Sequence, residues 1–306
     1  MLVIFLYYKI YAQKLIKGES ISLNSNAKIV MKYYCIEEKN IVNVPILKKF
    51  KCNENIIFLS KRVKSFSEWR QRKIAKKIKR FLEKKEIDRI ILSKEIKKNI
   101  KFVETLKNQS VKIIDGKRFM KYLAKEIIEY ILINSNKEKQ KTRIAVLSNE
   151  LTDLVIEKIK IFASEYKEVT VVTNYPKKIL NLENELYTNN GTSIIITNNL
   201  KKALLKQDII LNFDFIEEEI NKYYINEQAI IVNFENKIKI NSKRFVGINI
   251  YDYEITCRNN ESKDYDIKEI IEGEINFNTS FSNIRKIIKE KEIKIKALTT
   301  IRENTI

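Results

Sequence analysis

Histidine is absent from all 306 residues. The commonest general base near neutral pH and the commonest neutral metal ligand are therefore both missing. Glycine (5) and proline (2) are scarce, so obligatory tight turns are few and long uninterrupted helices and strands are favoured. The three cysteines, Cys35, Cys52 and Cys257, share no close spacing and form no CxxC pair. That excludes an obvious zinc site or disulfide framework and fits a reducing cytoplasm. The apolar stretch Met1–Tyr8 is broken by Lys9. It is too short to span a bilayer. With no basic leader or small-residue cleavage site, it reads as a buried strand or helix start and not as a signal peptide. No transmembrane segment is expected.

What is present is ample material for packed cores, 44% hydrophobic residues with 32% charged, at a length that suggests two domains. Isoleucine, lysine and asparagine dominate, as an AT-rich coding sequence would produce. Codon bias acts on both halves of a chain, yet the charge does not. Residues 1–140 carry 34 Lys and Arg against 14 Asp and Glu, a balance of +20, whereas residues 141–306 carry 25 of each. Such asymmetry points to a polyanionic partner of the first half, nucleic acid or an anionic membrane surface.

The densest stretch, Lys61 to Arg80, holds ten basic residues and one acid, Glu68. It reads as part of an amphipathic helix over Ser67–Lys85. Ile74, Ala75, Ile78, Phe81 and Leu82 share one face, and Arg72, Lys73, Lys76, Lys77, Lys79 and Arg80 lie largely on the other. These six are the candidate polyanion-binding residues, since ammonium and guanidinium groups displace counterions condensed on phosphates. A basic face also suits an anionic membrane, and a charge run is most often just a solvated face. Phe66 and Trp69 stand at the helix start, without an RNP motif or zinc finger to accompany them.

Short apolar runs at 28–35 and 41–46 read as strands. Ile56–Leu59, Arg89–Leu92 and Val111–Ile114 follow as strands alternating with helices, and a long helix opens after Asp115-Gly116 with Phe119, Met120, Leu123, Ile127 and Ile131 on its apolar face. Alternation of this kind implies parallel strands joined by crossovers. Asn134–Lys141 is uniformly hydrophilic and is taken as the domain boundary. The expected organisation is α/β, two alternating α/β domains: a basic one over 1–136, a Rossmann-like parallel sheet over 137–257, and a polar tail over 258–306 with one helix near Phe281–Lys291.

The second domain predicts strands at Arg143–Ser148, Val169–Thr173, Ser193–Thr197, Asp208–Phe213 and Ala229–Asn233, with Phe245–Ile250 closing the sheet. Continuous apolar strands are what a sheet covered on both faces requires. A dinucleotide-binding fold runs its first strand into GxGxxG, whose glycines let the backbone approach a pyrophosphate. Here the same place reads Ser148-Asn-Glu-Leu-Thr-Asp153, without glycine. Glu150 and Asp153 set negative charge at a helix N-terminus, which stabilises the helix and repels phosphate. Ser148 or Asn149 is the expected cap. After the fourth strand Asp214 and the run Glu217–Glu219 read as carboxylates opening a helix, or as a site for a cation or basic partner.

Three segments, VTVVTNYPKK ending at Lys178, LKKALLKQDIILNFD and EQAIIVNF, carry a resemblance to the cofactor domain of shikimate dehydrogenase and glutamyl-tRNA reductase-like proteins, over about residues 143–250. The resemblance implies NADP as a cofactor and an oxidoreductase activity. Asn174, Lys177 and Lys178, at the end of the second strand, then stand where basic residues accept a 2′-phosphate. The two lysines are more readily read as surface residues of a lysine-rich chain. The families' catalytic residues do not follow. Cys52-Asn53 matches only the dipeptide of the reductase nucleophile, and a Lys–Asp pair cannot be assigned among so many lysines. Fold resemblance does not carry function across. The leading expectation is a non-catalytic binding or regulatory protein with no cofactor. An NADP-dependent reductase and a nucleic-acid-binding module using the basic helix are the alternatives.

Overall fold

In the computed structural model, residues 33–38 and 56–59 are described by their backbone, and residues 67–84, 86–87, 89–258 and 264–301 in fuller detail. The expected strand at 41–46 and the Cys52-Asn53 dipeptide lie outside them. Contacts divide the chain into two compact units. One takes residues up to Gly116 together with Cys257–Glu292, and the other takes Lys117–Thr256 together with residues from Ile293 onward.

The first unit contains a four-stranded parallel sheet built from β1 (Tyr33–Glu38), β2 (Ile56–Leu59), β3 (Arg89–Leu92) and β4 (Lys112–Ile113), in the order β2-β1-β3-β4. Helices α1 (Glu68–Lys84), α2 (Lys94–Lys97) and α3 (Ile100–Asn108) connect the strands. Ile74, Ala75, Ile78 and Leu82 of α1 enter a core with Ile90, Leu92, Ile96, Phe102 and Leu106. Full burial of such side chains is worth about 1.5–3 kcal/mol each, so this stripe is what holds α1 in place.

The second unit opens with α4 (Lys117–Tyr122) and α5 (Ala124–Ser135). The single long helix expected here is interrupted at Leu123. The sheet follows as β5 (Arg143–Leu147), β6 (Glu168–Val172), β7 (Ile195–Thr197), β8 (Ile209–Asn212), β9 (Ile230–Asn233) and β10 (Ile248–Thr256). Its helices are α6 (Asp153–Glu165), α7 (Leu180–Asn190) and the one-turn α8 (Glu217–Ile220). Two further helices, α9 (Ile267–Glu274) and α10 (Phe281–Glu290), belong to the first unit, and β11 (Lys294–Thr300) returns to the second. The strand order is β11-β10-β9-β8-β5-β6-β7, parallel from β10 to β7, with β11 antiparallel on β10. The unit is a Rossmann-like α/β fold. β8 and β9 are buried at every position, as strands with both faces covered must be.

Three expectations are corrected. The boundary falls at Gly116, whose φ of 81° suits a residue without a side chain, and not in the hydrophilic stretch 134–141. That stretch is hydrophilic because it is a surface turn of the second unit. Asn136 ends α5 in the left-handed conformation, and Lys139 bridges Glu129 at 2.8 Å and Glu165 at 3.2 Å. The tail is not a polar extension with one helix. Ile271, Ile275, Ile284 and Ile288 are buried, and β11 adds an edge strand whose lysines, Lys294 and Lys296, stay exposed while Ala297 and Leu298 turn inward. Finally, Phe245–Ile250 does not close the sheet, because β11 lies outside β10.

Candidate functional site

In an open parallel sheet, ligands bind beyond the carboxyl ends of the strands where the chain reverses its direction of travel across the sheet. Here β5, β6 and β7 proceed to one side and β8 then appears on the other side of β5. Leu147 at the end of β5 is level with Asn212 of β8 and Val172 of β6. The crevice is therefore bounded by Ser148–Glu150, Thr173–Asn174 and Phe213–Asp214.

Asp214 fills the anion position of this crevice. The amide of Asn149 donates to its Oδ1 at 2.8 Å and to its Oδ2 at 3.0 Å, and the amide of Glu150 donates to Oδ2 at 2.7 Å. Ser148 Oγ lies 2.8 Å from Oδ2 and 2.9 Å from the Glu150 carbonyl, donating to one of them at a time. Backbone amides that would face a ligand's phosphate thus face a carboxylate 64–66 residues further along the chain.

A second layer of bonds closes the rim. Asn174 donates its amide to Asn149 Oδ1 at 2.9 Å and its Nδ2 to Glu219 Oε1 at 2.8 Å. Asn149 Nδ2 reaches the same oxygen at 3.1 Å, while Glu219 Oε2 accepts the Ile216 amide at 3.0 Å. Glu217 Oε2 accepts from the Lys239 amide at 2.9 Å. Glu217–Glu219 do open a helix, the one-turn α8, and Asp214, Glu217 and Glu219 also accept from backbone and asparagine donors; among the described residues no cluster suited to a metal ion occurs. The cap of α6 is Thr152, whose side chain accepts from the Val155 amide at 3.4 Å, and not Ser148 or Asn149.

Of the sequence-predicted cofactor residues, Asn174 joins this network, Lys177 is exposed in a 3-10 turn over Pro176–Lys178, and the side chain of Lys178 lies outside the described residues. Behind the rim, the buried Asn212 and Asn233 and the half-buried Asn249 form a chain. Asn212 donates to Asn233 at 3.1 Å and Asn233 to Asn249 at 2.7 Å. Nothing in the residue types announced that chain, because its register depends on strands β8 to β10 being neighbours.

The first unit presents two charged features. The basic face of α1 is exposed at Arg70, Arg72, Lys73, Lys76, Lys77, Arg80 and Lys84. Lys79 is half-buried and pairs with Glu83 at 3.7 Å. Among the described residues none of the seven exposed side chains has a carboxylate partner. Lys73 Nζ instead sits 4.6 Å from the centre of the Trp69 ring, which is 66% exposed. Arg72, Lys76, Arg80 and Lys84 follow one another at i, i+4, where like charges cost about 0.2–0.5 kcal/mol per pair. The row does not stabilise the helix; the buried stripe does. Sequence reading found this face but left out Arg70 and Lys84.

The other feature was not legible in the sequence. Lys97 Nζ lies 2.5 Å from both Asp266 Oδ2 and Glu269 Oε1, tying α2 to the start of α9. Burial is the larger influence on Glu269 and pushes its carboxyl up to about 7 despite Lys97. Burial also opposes ionisation of Asp266, but Lys97, Lys268 and Lys94 outweigh it and hold that carboxyl below the usual range. The folded chain therefore keeps a Glu269 proton that the unfolded chain gives up above 4.5, the ordinary value. Stability falls as pH rises from about 4.5 to about 7 and is level above that. The Asp266 contribution runs the other way and is lost only at lower pH. Glu269→Gln is expected to remove the fall and to be about 2–3 kcal/mol more stable than the parent at pH 8, with no difference at pH 4. Urea melts across that range check it, and an unchanged slope in the variant refutes the assignment.

No helix among the described residues is long and apolar enough to cross a membrane. No family model and no curated protein matches the chain. Among solved structures, L-tryptophan dehydrogenase from Nostoc punctiforme is similar at 8% identity and a TM-score of 0.31, over 62% of this chain and 54% of that one. This chain thus spans about half the length of that enzyme. Ornithine carbamoyltransferase from Pyrococcus furiosus is similar at 9% identity and a TM-score of 0.28, over 70% of this chain and 74% of that one. Likeness this low carries no argument about activity.

Proposed function

We propose that this chain is a non-catalytic binding or regulatory protein of the reducing cytoplasm, built on a Rossmann-like scaffold whose ligand crevice is occupied by its own carboxylate. The Asp214 carboxylate, bound by the Asn149 and Glu150 amides, carries the reading. An anion at that place is what the fold ordinarily recruits from a dinucleotide. A tethered carboxylate needs no concentration in solution, and a pyrophosphate entering the crevice would have to displace it. The missing histidine and the absence of a nucleophile–base set in the sequence support the same reading. The resemblance to shikimate dehydrogenase and glutamyl-tRNA reductase-like proteins enters as a likeness of scaffold.

The competing NADP-dependent reductase makes a measurable claim. A cofactor bound with a Kd of about 10 μM would add about 2.7 kcal/mol of stability at about 1 mM. For domains of this size that is a rise in melting temperature of roughly 5–10 °C. The expected result with NADPH or NADP at millimolar concentration is no shift and no saturable quenching of cofactor fluorescence. A saturable response lost in Lys177→Glu would overturn the proposal in favour of the reductase.

A further inference from the structure

We infer that the exposed face of α1 is a binding surface for single-stranded nucleic acid, with the Arg72-Lys76-Arg80-Lys84 row on the phosphates and the Trp69 ring stacked on a base. The inference goes beyond the reading of the crevice and is independent of it.

Charge comes first. The row runs along the helix for about 18 Å at 1.5 Å per residue, with Arg70, Lys73 and Lys77 beside it, all exposed and without a carboxylate partner among the described residues. The nearest acids on the helix are engaged: Glu83 by Lys79 at 3.7 Å, and Glu68 by Lys101 at 3.5 Å. A phosphodiester chain supplies the regularly spaced counter-charge that the row lacks.

The helix also discriminates between polyanions. A membrane-surface helix must sink an apolar face into the lipid boundary. The apolar face of α1 is already the core of the first unit, with Ala75 and Ile78 at 0% exposure. What remains outside is mostly cationic, with Glu68 and Glu83 held in ion pairs and one exposed aromatic side chain. Trp69 stands one turn before Lys73, is 66% exposed, and has that lysine over its ring. An exposed ring beside cations is the arrangement by which proteins stack unpaired bases while tracking the backbone. Base faces are available in single strands and hidden in duplexes, so the single strand is the fitting partner.

The chain has one tryptophan, so its fluorescence reports on this position alone. Titration of the full chain with an oligothymidylate of about 20 nucleotides is expected to quench Trp69. Neutralising about four phosphates gives a salt slope near −3, or about 50-fold weaker binding between 50 and 200 mM salt. By anisotropy of a labelled oligomer, Trp69→Ala should bind about tenfold more weakly, the lower part of the range for a lost stack. Lys76→Glu/Arg80→Glu should bind more weakly still, with a shallower slope. Both variants change exposed positions, and circular dichroism verifies that they fold. Absent binding, binding indifferent to salt, or full affinity in the charge-reversed variant overturns the inference. So does a Trp69→Ala variant that binds as the parent does, or tighter binding to phosphatidylserine vesicles than to the oligomer.

Discussion

Asp214→Ala is expected to lose about 3 kcal/mol of stability and to recover much of it when inorganic phosphate is added. The loss follows from two backbone amides, Asn149 and Glu150, that would be left without the carboxylate they share. Charge-assisted bonds of this kind contribute about 1.5–3 kcal/mol each. The position is half-buried, so water replaces part of what is removed, which keeps the total near the lower end. Ser148 adds little to the loss, because its hydroxyl can turn fully to the Glu150 carbonyl 2.9 Å away. The melting temperature should drop by roughly 6–12 °C.

Phosphate supplies the distinctive readout. In the parent protein the amides are occupied, and phosphate should stabilise it only through general effects and the α1 surface. In the variant an emptied anion position faces those two amides, and phosphate should raise its melting temperature further than it raises the parent's at equal ionic strength. Equal responses would mean that Asp214 is an ordinary loop residue and not a resident stand-in for a ligand. Asp214→Asn, which keeps one acceptor oxygen, should fall between the two proteins in stability and show little phosphate response.

Gly247→Ala is expected to be at least as damaging. A Cβ built on Gly247 lies 2.1 Å from the carbonyl oxygen of Ala229 and 2.9 Å from the Phe245 ring. The oxygen is backbone, and it accepts the Ile248 amide at 3.2 Å where β10 starts its pairing with β9. A flexible side chain would swing aside, but this carbonyl cannot move without breaking the ladder. Overpacking in a well-packed region costs about 1–3 kcal/mol, and a clash with backbone should exceed that range. Loss of β10 also removes the strand on which β11 rests. The expected outcome is a variant recovered in poor yield, with its urea midpoint far below the parent's. Near-parental stability would show that the β9–β10 junction is looser than its geometry. In a chain with so few glycines, this one is kept for close approach, since its φ is not positive.

What the sequence disclosed follows from range. β5, β6, β8 and β9 were placed within a residue or two because a strand buried on both faces is written locally, as a run of Ile and Val. The basic helix was legible for the same reason, its apolar stripe and charged face both having the helical period. β11 was missed because its sequence, KIKALTT, mixes lysine with apolar residues and takes its register from β10 some 40 residues earlier. The tail looked polar because the edge strand and α10 keep their charges outward, while α9 buries Lys268, Glu269 and Glu272, charges that sequence alone reads as surface. Asp214 was misjudged for a similar reason. Beside Glu217–Glu219 it looks like one more acid before a helix, and only the sheet brings it to the Ser148–Glu150 loop. The absence of glycine in that loop is plain in the sequence, but the Asp214 carboxylate that its amides meet is not. In the proposed reading the loop needs no glycine, because the anion that its amides hold is the Asp214 carboxylate of the same chain.

The order in which the chain visits its two units has a consequence for synthesis. Each unit is assembled from two separate stretches, and the stretches alternate. An N-terminal fragment ending at Cys257 would lack α9 and α10 from one unit and β11 from the other. During translation the first unit is incomplete until Glu292 has emerged and the second until residues 294–300 have, and until then β10 is an uncovered sheet edge, the kind of surface that invites aggregation. Expression of either unit by itself therefore requires its two stretches to be joined by a linker in place of the segment between them, and not a truncation.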